Sequence, residues 1–178
     1  MANKQKQIPD VTIRDAEFRF LNFEGRADQF NEAGEDNRNF QVILPADLAA
    51  AMADDEWNIK ETRPRRNAEP DELAEFEPRP YIEVKVSYKF DSMAPKVYLV
   101  TPSQMTLLSA ETAKLVDTAE IIKMDLTINP SRWTMGSKSG VKAYLKEAYI
   151  TIRESELAQE YSSIPLAGTT QRNVPSFS

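Results

Sequence analysis

The sequence predicts a mainly β chain, folded as a closed or nearly closed barrel with one or two short helices and long loops. A two-sheet sandwich is the alternative that one sequence leaves open. Three observations carry this reading. Short runs of alternating apolar residues recur along the chain. The clearest, Tyr81 to Phe90, sets Ile82, Val84, Val86, Tyr88 and Phe90 on one face and Tyr81, Glu83, Lys85, Ser87 and Lys89 on the other. Helical patterning is confined to two brief stretches, and polar segments rich in Gly, Asn and Pro separate the runs.

Taken in order, residues 1–10 are polar, include Pro9, and read as a disordered arm. Val11, Ile13, Phe18 and Phe20 mark a first long strand, whose alternation slips near Asp15-Ala16. Residues 24–37 are polar, with Gly25, Asn31, Gly34 and Asn37, and form a long loop or a hairpin in which Phe30 sits alone. Arg38 to Leu44 is a second strand. Pro45 and Asp47 open a short helix through Met52, because Pro is tolerated in a first turn and Asp suits its positive end. Trp57 to Lys60 begins a third extended segment, which runs into the basic stretch Arg63-Pro64-Arg65-Arg66. Residues 67–78 are acidic and Pro-rich and read as a loop insertion, with one helical turn near Asp71–Phe76.

After the strand 81–90, a turn at Asp91–Pro95 leads to Val97–Thr101. Ser109 to Asp117 is a second helix; Ser109 suits the N-cap, and Thr112 stands where a capping box has Glu. This helix is placed to plug one end of a barrel. Strand 121–128, a break at Pro130 and a long strand 141–153 follow. Phe23 and Phe40 have apolar neighbours and read as core, as do Tyr88 and Phe90. The last segment, 158–178, carries Pro165, Gly168 and Pro175 without periodicity and reads as a flexible tail, which leaves 11–157 as the domain.

Composition narrows the chemistry. The 178 residues are 41% apolar and 28% charged, an ordinary folded composition. No window reaches the ~18 apolar residues of a membrane-spanning helix, and the N-terminus lacks the apolar stretch of a secretion signal. There is no Cys, hence no disulfide, thiolate metal site or Cys nucleophile. There is also no His, which removes His-based triads and the usual zinc sites. No phosphate-binding loop, dinucleotide-binding glycine pattern or calcium-loop spacing is present, and no cofactor is expected.

The net charge of −6 is unevenly spread. Residues 58–66 set Lys60, Arg63, Arg65 and Arg66 against Glu61 alone, and residues 123–153 set six cations against Asp125 and Glu147. Within the second stretch, Lys142, Tyr144 and Lys146 occupy alternate strand positions and so share a face. Trp133 stands before them, and a glycine-bearing segment with Gly136, Lys138 and Gly140 leads in. Rings that stack on bases, flanked by cations that meet phosphates, are what binding of single-stranded nucleic acid requires. Half-exposed strands also carry Lys and Tyr with no such role.

Several blocks in a fixed order add to this. They are Asn22-Phe23-Glu24-Gly25 with Phe30-Asn31 and Arg38-Asn39-Phe40; Trp57-Asn58-Ile59-Lys60; Tyr81 to Val86; and Asp125 to Pro130 with Trp133 and Gly140 to Lys146. Across roughly residues 11–153 the chain resembles a family of bacteriophage-encoded single-stranded DNA-binding proteins. The resemblance implies a five-stranded, partly closed OB-type barrel that coats single strands in phage DNA replication, recombination or repair, without catalysis, in the cytoplasm of an infected bacterium. Single-stranded DNA is the implied partner, with single-stranded RNA not excluded. Phage or host replication and recombination proteins are further candidate partners, as is a second copy of the chain, and no membrane is involved. Many single-strand binders of replication end in an acidic tail tipped by Phe that recruits partners; here Phe177 is present, but residues 162–178 hold no Asp or Glu.

The candidate site follows from barrel and charge together. Tyr144, Trp133, Trp57 and Phe30 are assigned to stacking. Lys142, Lys146, Lys138, Lys60, Arg63, Arg65, Arg66 and Arg38 are assigned to phosphates. Each has a plainer alternative. Trp57 suits a core, Trp133 suits a lid, Arg38 suits pairing with Asp36 or holding the 24–37 loop, and Arg65 and Arg66 suit pairing with the acids at 69–77. Those acids also suggest a DNA mimic covering the groove. The competing functional classes are a phage structural or regulatory barrel that binds protein, and, more distantly, a metal-dependent nuclease built on the clustered carboxylates.

Overall fold

A computed structural model describes residues 7–27, 32–34 and 37–154; the first part of the expected arm, Phe30 and the tail 158–178 lie outside the described residues. The elements are β1 (Val11–Ile13), β2 (Glu17–Asn22), β3 (Asn39–Ile43), α1 (Ala46–Asp54), β4 (Ile59–Glu61), α2 (Pro70–Glu75), β5 (Pro80–Lys85), β6 (Lys96–Val100), β7 (Met105–Leu108), α3 (Leu115–Thr118), β8 (Ile121–Met135) and β9 (Lys138–Ile152).

These nine strands form one mixed sheet whose main path is β1-β8-β9-β5-β3-β2. β1 and β2 are two halves of one chain segment. The first half pairs antiparallel with β8, Val11 opposite Ile128, and the second pairs antiparallel with β3, Phe18 opposite Val42. The path thus returns to its start through the backbone of residues 14–16, with no ladder between β1 and β2. With that segment counted once, the principal strands are five, as in a partly open OB-type barrel. β4 and the β6–β7 hairpin are additions to that barrel.

The kink between β1 and β2 is the slip in alternation visible in the sequence. Asp15 adopts φ 49° there, which Asp tolerates better than most residues. Its amide donates to Asp125 Oδ1 at 2.7 Å, and the Ala16 amide donates to the Met124 carbonyl at 2.8 Å. Residues expected in the disordered arm are already on the barrel: Ile8 is only 8% exposed, and Asp10 pairs with Lys146.

β9 runs antiparallel to β8 over nearly its whole length and parallel to both β5 and β6. Its inward residues Val141, Ala143, Leu145, Ala148 and Ile150 join Met124, Leu126 and Ile128 of β8, Ile82 and Val84 of β5, and Phe40 and Val42 of β3 in one core. Phe23 and Phe40 are fully buried, as expected, with ring centroids 5.2 Å apart. The Ser109 turn also forms as expected: the Ser109 amide donates to Thr112 Oγ1 at 2.7 Å, so Thr112 fills the capping-box position. The helix after it is shorter than expected, Leu115–Thr118, and buries Val116. Asp117 accepts the Phe23 amide at 2.8 Å and the Glu24 amide at 3.0 Å, which fixes the end of β2.

Several sequence expectations need correction. The break at Pro130 does not occur, because β8 continues to Met135 with Pro130 opposite Ala143. Proline is tolerated because β1 pairs with β8 only as far as Ile128, so beyond that point the other side of β8 is an edge. The segment with Gly136, Lys138 and Gly140 is no loop but a two-residue turn, Gly136-Ser137, between paired Met135 and Lys138, with Gly136 at φ 61°. The strand expected over 81–90 stops at Lys85, and Phe90 is 62% exposed rather than core. β7, a short and weakly patterned strand, was not read at all.

Phe40→Ala should cost about 3–5 kcal/mol, the range for emptying a large aromatic site in a core. Urea unfolding followed by far-ultraviolet circular dichroism measures it, and a loss below about 1 kcal/mol would contradict the packing described.

Candidate nucleic-acid interface

The interface follows from strand alternation once register is known. Residues opposite one another in a ladder share a face. Asn39 of β3 stands opposite Lys85 of β5, Lys85 opposite Tyr144 of β9, and Tyr144 opposite Asn129 of β8. One row therefore crosses four strands on the outer side of the barrel. Lys142, opposite Ser131, lies one step along β9 on the same face, with its neighbours Val141 and Ala143 turned into the core.

Past Lys85 the chain leaves the ladder. Residues 86–90 rise beside this face, a 3-10 turn at Asp91–Met93 follows, and β6 then returns alongside β9. The result is a groove of about 820 Å³. Among the described residues, six cations line it, Arg38, Lys85, Lys89, Lys96, Lys142 and Lys146, with one carboxylate, Glu147. Two rings line it as well: half-buried Tyr144 in the sheet and exposed Phe90 on the wall.

Two of these cations also have structural duties. Arg38 donates to the carbonyls of Phe23 at 2.9 Å and Ala110 at 3.0 Å, with its guanidinium 5.1 Å from the Tyr88 ring centroid. It thereby holds the end of β2 to the segment before α3, which is the loop-holding alternative read from sequence, while still bordering the groove. Lys146 donates to Asp10 Oδ2 at 2.7 Å, and that bond lifts its pKa above the ordinary lysine value. Lys146 therefore stays charged throughout the neutral range.

The sequence-derived candidates separate into groups. Tyr144, Lys142, Lys146 and Arg38 come together in the groove. Trp57 does not: it is 4% exposed, forms a parallel backbone bridge with Val141 and belongs to the core. Its ring has no open face for a base, so its assignment to stacking is withdrawn. Trp133 packs across the ladder on Gly140, where a Cβ would lie 2.9 Å from its Nε1. It lines a smaller depression with Asp54, Asp55 and Glu56, an acidic setting outside the groove. Lys138 stands at the tip of the β8–β9 hairpin, also outside the groove lining.

The basic stretch after β4 is likewise separate from the groove. Lys60 lies 4.0 Å from Glu83, and Arg65 grips Glu72 through several bonds, the shortest 2.7 Å. That bond is the pairing with the acidic segment considered from sequence. Arg63 and Arg66 are exposed, and no residue of 67–78 lines the groove. Among the described residues, no group of three or more Asp or Glu is placed to hold a metal ion.

Sequence reasoning did not assign Lys85, Lys89, Lys96 or Phe90 to the site. The signal for Lys85 and Lys89 was present, as alternate positions on the polar face of the run 81–90. What was lacking was the parallel register that brings this face beside Tyr144.

A barrel of this path, with rings and lysines gathered in one lateral groove, has the build of a single-strand binder. The comparison with protein families agrees: a model described as "Putative phage ssDNA-binding domain" matches residues 1–177, and the chain belongs to that family. The protein accordingly binds single-stranded DNA. Among solved structures, the single-stranded DNA-binding protein from bacteriophage Enc34, in a C-terminally truncated form, is similar at 11% identity and a TM-score of 0.45. That match covers 87% of this chain and 98% of the other. No curated protein matches.

Trp57→Ala should lower stability by about 3–5 kcal/mol while the folded fraction keeps wild-type affinity for oligo-dT. Chemical denaturation and fluorescence anisotropy, run on one preparation, separate the two effects. Weakened binding with unchanged stability would return Trp57 to the interface.

Proposed function

We propose that the single strand lies in the groove between β5, β9 and the wall formed by residues 86–93, and that it is held without chemistry and largely without regard to sequence. The observation that carries this reading is the convergence of six cations and two rings on one face of an otherwise acidic chain. Tyr144 and Phe90 offer ring faces to bases, a contact worth about 1–3 kcal/mol each and indifferent to base identity. Lys85, Lys89, Lys96, Lys142 and Lys146 replace counterions along the phosphates.

The role that fits such binding is protection and organisation of single strands during phage DNA replication, recombination or repair, in the cytoplasm of the infected host. Single-stranded RNA carries the same phosphates and stacking faces and is a second candidate ligand for the groove. Replication and recombination proteins, and a second copy of the chain, are the proposed protein partners.

Anisotropy of labelled oligo-dT and matching duplex at several salt concentrations tests the reading. Single strand should be preferred, and affinity should fall as salt rises. Tyr144→Ala should weaken binding roughly tenfold. Lys85→Ala and Lys142→Ala should each reduce the slope of log affinity against log salt by about 0.7, the value for one phosphate contact on a single strand. Unchanged slopes in both lysine variants would place the strand elsewhere.

A further inference from the structure

The bulge in β2 exposes an aromatic ring at a strained position. Glu17, Phe18 and Arg19 stand opposite Ile43, Val42 and Gln41, and pairing resumes with Asn22 opposite Asn39. Phe20 and Leu21 therefore share the place opposite Phe40. Leu21 packs against the core, whereas Phe20 is 67% exposed on a backbone with φ 56°. That left-handed conformation is strained for a bulky residue, and glycine is what bulges of this kind commonly use. Burial does not offset the strain, because the ring is in solvent. Strain kept without a packing gain points to use of the ring itself.

The ring has organised neighbours. The Arg19 guanidinium lies 4.7 Å from the Phe20 centroid and 4.9 Å from the Tyr81 centroid, and Arg19 Nε donates to Gln41 Oε1 at 2.7 Å. A flat cation is thus held between two rings. Lys60 is in register with Tyr81 across the β4–β5 ladder and adds a second cation.

This cluster and the groove share one strand face. Tyr81, Glu83 and Lys85 alternate along the outer side of β5, and Lys85 is the residue beside Tyr144. Tyr81 and Lys85 are four residues apart, about 13 Å along an extended strand. The carboxylate between them, Glu83, faces Lys60 at 4.0 Å.

We propose that Arg19, Phe20 and Tyr81 form a second stacking station for the same single strand, reached from the groove along β5. Phe20 receives a base on its exposed face, and Arg19 and Lys60 meet the adjoining phosphates. The station extends the groove reading and rests on it. It gives the bulge and its strained aromatic a purpose, and it brings Lys60, which the groove leaves out, back into the interface.

Oligo-dT of about 4 and about 16 nucleotides, spanning the range of OB-fold site sizes, separates the two stations by anisotropy. In Phe20→Gly the short oligonucleotide should bind as in the wild type, and the long one should lose roughly tenfold, one stacked base. The thermal midpoint should stay equal or rise, since glycine accepts the backbone angle. Phe20→Tyr should keep wild-type affinity for both lengths. Phe20→Leu, which loses the ring but keeps an apolar side chain, should repeat the glycine result and serves if the glycine variant fails to fold. Wild-type affinity for both lengths in Phe20→Gly and Phe20→Leu overturns the station. Tyr144→Ala should weaken both lengths. If it weakens neither while Phe20→Gly weakens the long one, the groove reading fails, and the path joining the stations fails with it.

Discussion

The structure depends on one strand pairing, the parallel register that sets β9 beside β5. Parallel neighbours cannot be joined by a hairpin, and here the intervening chain, residues 86–137, supplies the groove wall, the β6–β7 hairpin, α3 and β8. β9 pairs with β8 along its length and with β5 and β6 on its other side. Alternate residues of that one strand serve two ends. Val141, Ala143 and Leu145 fill the core, and Lys142, Tyr144 and Lys146 face the groove. A slip of one residue would exchange the two sets, so the hydrophobic effect that packs the barrel also aims the binding residues.

The site is cationic in an acidic molecule, and the contrast is physically useful. The net charge is −6, yet of the acids among the described residues the groove lining holds Glu147 alone, with Asp10 paired to Lys146 beside it. Arg65 with Glu72 and Arg79 with Glu17 are exposed pairs that neutralise one another locally. Among the described residues that line the groove, five lysines and Arg38 stand with one carboxylate, Glu147, and Asp10 pairs with Lys146 from outside the lining. On the proposed reading, attraction at this surface and repulsion elsewhere would direct a nucleic acid to it.

Much of the fold was legible because it is local. Alternation gave the core face of β5, the slip at Asp15-Ala16 marked the kink, and the Ser109–Thr112 cap announced the turn before α3. The face of β9 with Lys142, Tyr144 and Lys146 was equally readable, since period-2 patterning needs no partner. What stayed hidden was set by partners distant in sequence. Phe90 reads as core while the run 81–90 is taken as one strand, and only the end of pairing at Lys85 exposes it. Trp57 reads as either core or interface until its bridge to Val141 is known. Pro130 signals a break unless the strand it lies in has an open edge there. Phe20 alternates with Phe18 on paper; the extra residue opposite Phe40 is what turns it outward.

The kinked segment that forms β1 and β2 has a consequence for how the barrel is assembled in time. Its first half needs partners as far off as Thr127, 115 positions from Thr12, whereas its second half pairs with β3, the next strand in the chain. The near pairing can form early, but the distant one must wait until β8 has been made and must then overcome the entropy of closing a long loop. Folding should accordingly be governed by contacts remote in sequence and fall among the slower, millisecond-to-second barrels. Until β9 docks, Val84 and Lys85 await their strand partner, while β4 already covers Pro80 to Ile82 on that side of β5. The shared segment thus makes closure of the sheet path wait on β8, late in the chain.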